Sequence, residues 1–122
     1  MASLNEETLH KILNQIQQTA INSQRALSVT KSTQAVKERE RRILQLTINE
    51  VDSLDKGVNL YKGVGKMFMM TPRPVMEKEL KTQEKELTDD INNLNKKAKY
   101  LEKTFNEAQA QLRDIFNSAP KD

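Results

Sequence analysis

The chain has 122 residues, twenty basic against seventeen acidic side chains, no Cys, no Trp and 36% apolar residues. So few apolar side chains cannot fill a globular core of this length, and the lack of Cys excludes a disulfide framework and a thiolate metal site. With 30% charged residues of alternating sign, as in Lys37-Glu-Arg-Glu-Arg-Arg42, the composition fits long solvated helices with a narrow apolar seam and disfavours nucleic-acid binding, which asks for a one-signed stripe.

A first helix is expected over about residues 5–46. Asn5 caps it, Glu6 and Glu7 sit in its positive first turn, and no Gly or Pro interrupts the chain before Gly57. Thr47-Ile-Asn-Glu50 has the form of a capping box, which predicts a restart and a short helix over 48–56 with Gly57 as its C-cap.

Over residues 58–71 the period becomes strand-like. Val58 to Lys62 and Lys66 to Met70 flank Gly63-Val64-Gly65, whose glycines suit a tight reversal, so one β-hairpin is expected. Thr71-Pro-Arg-Pro74 closes the second strand, and Pro74 suits the first turn of a second helix over 74–117, followed by a polar tail over 118–122. The predicted fold is mainly α: one domain over residues 1–122, a long antiparallel two-helix coiled coil with a single β-hairpin at its connecting end.

Two apolar ladders stepping by four and three support that architecture. The first runs Leu9, Leu13, Ile16, Ala20, Ser23, Leu27, Thr30, Gln34, Lys37, Arg41, Leu44, Ile48, Val51, and the second Leu80, Glu84, Leu87, Ile91, Leu94, Ala98, Leu101, Phe105, Ala108, Leu112, Ile115. Folded so that facing position numbers sum to 121, they pair Leu13 with Ala108, Ile16 with Phe105, Ala20 with Leu101, and Lys37 with Glu84. Each large side chain buried in such a seam stabilises by roughly 1.5 to 3 kcal/mol before entropy is charged. Residues 30–41 carry polar rungs and should be the loosest stretch of the first helix.

The two ends differ in character. Met67 and Met69 point to one face of the second strand and Phe68 and Met70 to the other, so a lone ribbon would leave apolar side chains uncovered. Val58, Leu60, Tyr61, Met67, Phe68, Met69 and Met70 are therefore candidate assembly residues. At the opposite end Leu4, Leu9, Ile12, Leu13, Ile16, Leu112, Ile115 and Phe116 widen the seam into a candidate binding tip.

Chemistry is sparse. His10 is the sole histidine and has no cluster around it. Gly63-Val-Gly65-Lys66 fails the phosphate-loop pattern, with Leu60 at the first Gly position and Met67 at the Ser/Thr position. The methionines read as strand core rather than soft-metal ligands, and Asp89-Asp90 with Glu77 and Glu79 read as a solvated face without convergent partners. No enzyme, cofactor or metal site is expected. No apolar run reaches a membrane span, and MASLNEETLHK lacks a signal-peptide core, so a cytoplasmic protein is expected.

The segment Tyr61-Lys-Gly-Val-Gly-Lys-Met-Phe68 between two heptad helices, with Thr47-x-x-Glu50 before it and Glu77 to Leu80 after it, resembles prefoldin along nearly the entire chain. The single hairpin is similar to the β type of subunit, since α types have two. The resemblance implies a hetero-hexamer of two α-type and four β-type subunits, built on a shared β-barrel. It also implies an ATP-independent chaperone that captures non-native proteins, actin and tubulin among them, at the coiled-coil tips and passes them to the cytosolic chaperonin. Carried onto this chain, the hairpin residues named above assemble the complex and the tip residues hold clients. The alternative from another class is a structural or tethering coiled coil that docks one fixed partner.

Overall fold

The computed structural model describes residues 6–118, in the order α1 (Glu6–Ser53), β1 (Leu60–Val64), β2 (Met67–Thr71) and α2 (Arg73–Ser118). Leu4, the cap expected of Asn5 and the tail after Ser118 lie outside the described residues. Both long helices and the antiparallel hairpin agree with the expected mainly α coiled-coil fold.

The expected break at Thr47 is absent. α1 is helical without interruption to Ser53, 48 residues in all, or about 72 Å at the usual rise. A capping Thr must leave helical geometry, but the Thr47 hydroxyl donates backward to the Ile43 carbonyl at 3.0 Å, which a helical Thr does without breaking the ladder. Thr30 and Thr33 do the same to Ala26 and Val29. Nor does Gly57 cap the helix: α1 ends four residues earlier, and Gly57 does not take a positive φ.

Contacts divide the chain into two compact units, residues 1–33 with 94–122, and residues 34–93. In the first, Ala20, Ser23, Thr30, Ala98 and Ala108 are buried, and Leu13, Ile16, Leu27, Leu94, Leu101 and Phe105 are half-buried. In the second, Ile91 is 2% exposed and Thr71 is buried, while Gln34, Lys37, Arg41, Leu44, Ile48, Leu80 and Leu87 are half-buried. Apart from Thr71, every fully buried residue among those described lies on one of the ladders, so heptad spacing located the seam, while Ile12, Ala26, Met76, Thr88 and Thr104 are half-buried beside it.

The ladders pair differently from the expected sum of 121. Within the second unit, Lys37 Nζ lies 3.9 Å from Asp90 Oδ2, numbers that sum to 127, and not beside Glu84. A groove there is lined by Leu44 and Thr47 with Gln83 and Leu87. Within the first unit, Ala20 shares a groove with Phe105, Gln109 and Leu112. These neighbours center on a sum near 128, one heptad beyond 121. The physical reason is that a heptad pattern looks the same after a shift of seven; the turn chooses among the shifts. Here the hairpin pairs Leu60 with Thr71 and Val64 with Met67, so the chain reverses between Gly65 and Lys66.

That reversal is a two-residue loop. Gly65 takes φ +61°, alone among the glycines, and Lys66 does not, as a hairpin turn of the II′ kind requires. The pairing puts Val64, Lys62 and Leu60 on one face with Met67, Met69 and Thr71, and Tyr61 and Gly63 on the other with Met70 and Phe68.

Candidate functional site

The hairpin end is built around Arg73, the first residue of α2. Helix α1 has no basic residue in its last turn, so its final carbonyls need donors from elsewhere. The Arg73 guanidinium gathers carbonyls at and just beyond that end: Nη2 donates to that of Val51, in the last turn, and at 2.8 Å to that of Leu54, and Nη1 donates to that of Asp55 at 3.1 Å. Nε donates to Glu77 Oε1 at 3.2 Å, which holds the fork in place. A second tie orients the hairpin: Lys62 Nζ in β1 donates to Glu79 Oε2 in α2 at 3.0 Å. Glu77, Glu79 and Asp90, read from sequence as acids without partners, each hold a basic side chain.

So anchored, the ribbon presents its apolar side chains outward. Phe68 is 78% and Met67 74% exposed, Val58, Tyr61, Met69 and Met70 are exposed as well, and only Leu60 among the seven candidates is half-buried. Beyond the covered Leu60–Thr71 end, the ribbon thus presents apolar side chains on both faces, and among the described residues no third strand pairs with either outer edge.

In the first unit, Leu9, Ile12, Leu13 and Ile16 of α1 and Leu112 and Ile115 of α2 are half-buried, and Phe116 is 60% exposed. Between them and the middle of the first unit runs an open groove lined by Gln17, Ala20, Ile21, Gln24, Phe105, Gln109 and Leu112. Ala20 is the one buried residue of that lining, and its small side chain leaves space that a larger one would fill. The surrounding sequence carries a signal that the ladders do not reveal. Residues 12–24 contain no charged side chain, and residues 104–112 contain only Glu107, which lies 3.9 Å from Lys103. In a chain that is 30% charged, that run sets this surface apart.

No other chemistry converges. His10 is exposed, and among the described residues no group of three His, Cys, Asp or Glu could hold a metal ion. Gly63 lies inside β1 and Gly65 in the turn, so the glycines shape a hairpin rather than a phosphate cradle. Among the described residues no helix is long and apolar enough to cross a membrane.

A two-helix coiled coil closed by one exposed apolar hairpin defines a class of subunit made for assembly. The family model described as prefoldin subunit matches residues 7–119, and the chain belongs to the prefoldin family. It is similar to the probable prefoldin subunit 1 of Schizosaccharomyces pombe, 31% identical over 90% of this chain and 98% of the relative. It is also similar to the probable prefoldin subunit 1 of Dictyostelium discoideum, 31% identical over 75% of this chain and 79% of the relative, and to mouse prefoldin subunit 1, 27% identical over 94% of each. Among solved structures, the prefoldin beta subunit from Thermococcus strain KS-1 superposes with a TM-score of 0.81 at 20% identity, covering 98% of this chain and 100% of the other. That likeness gives the β-type fold. Prefoldins are non-enzymatic chaperones whose subunits form hetero-oligomers with other prefoldin subunits.

Proposed function

We propose that this chain is a β-type subunit of a cytoplasmic hetero-hexamer of two α-type and four β-type prefoldin subunits. That complex captures non-native proteins such as actin and tubulin at its coiled-coil tips and passes them to the cytosolic chaperonin. The observation that carries the reading is the hairpin: a ribbon with Phe68 and Met67 about three-quarters exposed is poorly suited to a lone chain. Strands added at its free edges would satisfy the backbone groups, and closure of the enlarged sheet into a barrel would bury its inward face; assembly then falls to Val58, Leu60, Tyr61, Met67, Phe68, Met69 and Met70.

Client holding then falls to the far end, to Leu9, Ile12, Leu13, Ile16, Leu112, Ile115 and Phe116, with Leu4 beyond the described residues. Each tip offers a modest apolar surface, and several tips on one platform convert weak contacts into useful avidity. Weak contacts also release without nucleotide hydrolysis, so the subunit itself performs no catalysis.

Co-expression with α-type prefoldin subunits, followed by native mass measurement, tests the assembly. A hexamer containing this chain is expected, and a persistent monomer or homodimer would overturn the reading. The purified hexamer should then keep unfolded actin from aggregating without ATP, at low and high salt alike, and release it to added chaperonin.

A further inference from the structure

Helix α1 carries a second apolar line besides the seam. Val36, Ile43 and Leu46 are 49%, 59% and 57% exposed, and none of the three stands on the ladder. Within residues 34–93, Ile43 lines an open groove with Glu40, Leu44 and Thr47 of α1 and Gln83 and Leu87 of α2. The free charges along this groove share one sign. Glu40 lies in its wall, Glu50 follows Ile43 by two turns on the same face of α1, and Glu86 lies one turn from Gln83 on α2. All three are exposed, and none takes part in an ion pair among the described residues. The arginines of the same stretch face elsewhere: Arg39, Arg41 and Arg42 line a separate hollow, where Arg41 holds Glu38. We propose that this groove docks an amphipathic α-helix of another folded protein, one with apolar residues at heptad spacing and Lys or Arg along their flank. Its residues belong neither to the hairpin nor to the tip.

Spacing selects a helix. Val36 and Ile43 stand two turns apart, about 10.5 Å along α1, and Val29 keeps the same interval in the sequence. A helix lying alongside repeats its apolar side chains at that distance. An extended strand does not, because side chains on one of its faces recur about every 6.8 Å. Charge selects the partner's flank: Glu40, Glu50 and Glu86 are complementary to a basic helix and repel an acidic one. Charge also argues against a second copy of this chain, since pairing the face with itself would crowd like carboxylates along the apolar line.

The test uses the assembled complex. The probe is a peptide of about three heptads with Leu at positions a and d, Lys at e and g, and one central benzoylphenylalanine. Three control versions carry Glu in place of Lys, the same residues in scrambled order, or two central prolines. After irradiation, adducts on this chain are mapped and quantified by mass. Adducts within 36–47 and 83–87 are expected with the Lys helix, about 10-fold fewer with the Glu version, as the loss of three exposed ion pairs gives, and only background with the other two. In a complex with Val36→Ser, Ile43→Ser and Leu46→Ser, labelling there should fall at least about 10-fold. Native mass and helix content should stay unchanged, because these side chains lie outside the seam. Equal labelling of the groove by the Lys and Glu versions, or by the proline version, would overturn recognition of a basic helix. Adducts that avoid 36–47 and 83–87 altogether would overturn the docking face. A native mass showing complexes joined in pairs, and separated by the Ser substitutions, would make the occupant a second copy and likewise overturn the proposal.

Discussion

Arg73 Nη2 donates to the Leu54 carbonyl at 2.8 Å, so the first residue of α2 closes the C-terminal end of α1 across the hairpin. With Val51 and Asp55 as further acceptors and Glu77 as counter-ion, one planar side chain does what a terminal Lys or a Gly cap does in other helices.

Because charged hydrogen bonds of this kind contribute about 1.5–3 kcal/mol in total, Arg73→Ala should destabilise the subunit by that amount. Urea unfolding followed by circular dichroism at fixed subunit concentration measures it. Arg73→Lys should recover less than half, since one ammonium cannot fork across three carbonyls. A loss below about 0.5 kcal/mol for Arg73→Ala would remove the clamp from the list of stabilising contacts.

Gly65 holds φ +61°, whereas Gly57 has open space around it and no positive φ. Substituting Gly65 by Ala should cost about 1–2 kcal/mol, the usual penalty for an L residue in the left-handed region, and should lower the yield of assembled complex. Gly57→Ala should leave both unchanged. Equal effects at the two sites would show that the turn tolerates a side chain.

Ile91 is the most deeply buried large side chain, 2% exposed. Ile91→Ala should cost about 2–4 kcal/mol through lost transfer energy and an incompletely filled cavity. Thr30→Val, at a site 3% exposed whose hydroxyl already donates to the Ala26 carbonyl, should cost under about 1 kcal/mol. Chemical denaturation of the two variants side by side checks the order.

Hydrogen exchange should divide α1. Gln34, Lys37 and Arg41 occupy seam positions in residues 30–41, while Ile16, Ala20, Ser23 and Leu27 occupy them in 13–27. Amides of 30–41 should therefore exchange sooner in a mass-spectrometric time course. Uniform protection along both stretches would contradict this.

Much of this molecule is local in origin and could be read residue by residue. Leu27, Ile91 and Leu94 fall on ladders that repeat every 3.5 residues, Met67 to Met70 alternate with period two, and both patterns give the elements found. The exposure of Phe68 likewise follows from two-sided apolarity in a lone ribbon. Thr47 shows the limit of such reading. Its capping-box spacing is genuine, but a hydroxyl that can bond backward to Ile43 lets the helix continue, and flanking apolar periodicity favours continuation.

Periodicity and turn chemistry depend only on neighbouring residues, and they dictate two long amphipathic helices, one hairpin, and apolar side chains in the hairpin and toward the termini. Only the tertiary structure decided which heptad of α1 lies beside which heptad of α2, because a seven-residue repeat is indifferent to shifts of seven. That choice rests on where the Gly65 turn pairs Val64 with Met67 and on two contacts distant in sequence, Arg73 reaching back to Val51 and Leu54 and Lys37 reaching across to Asp90.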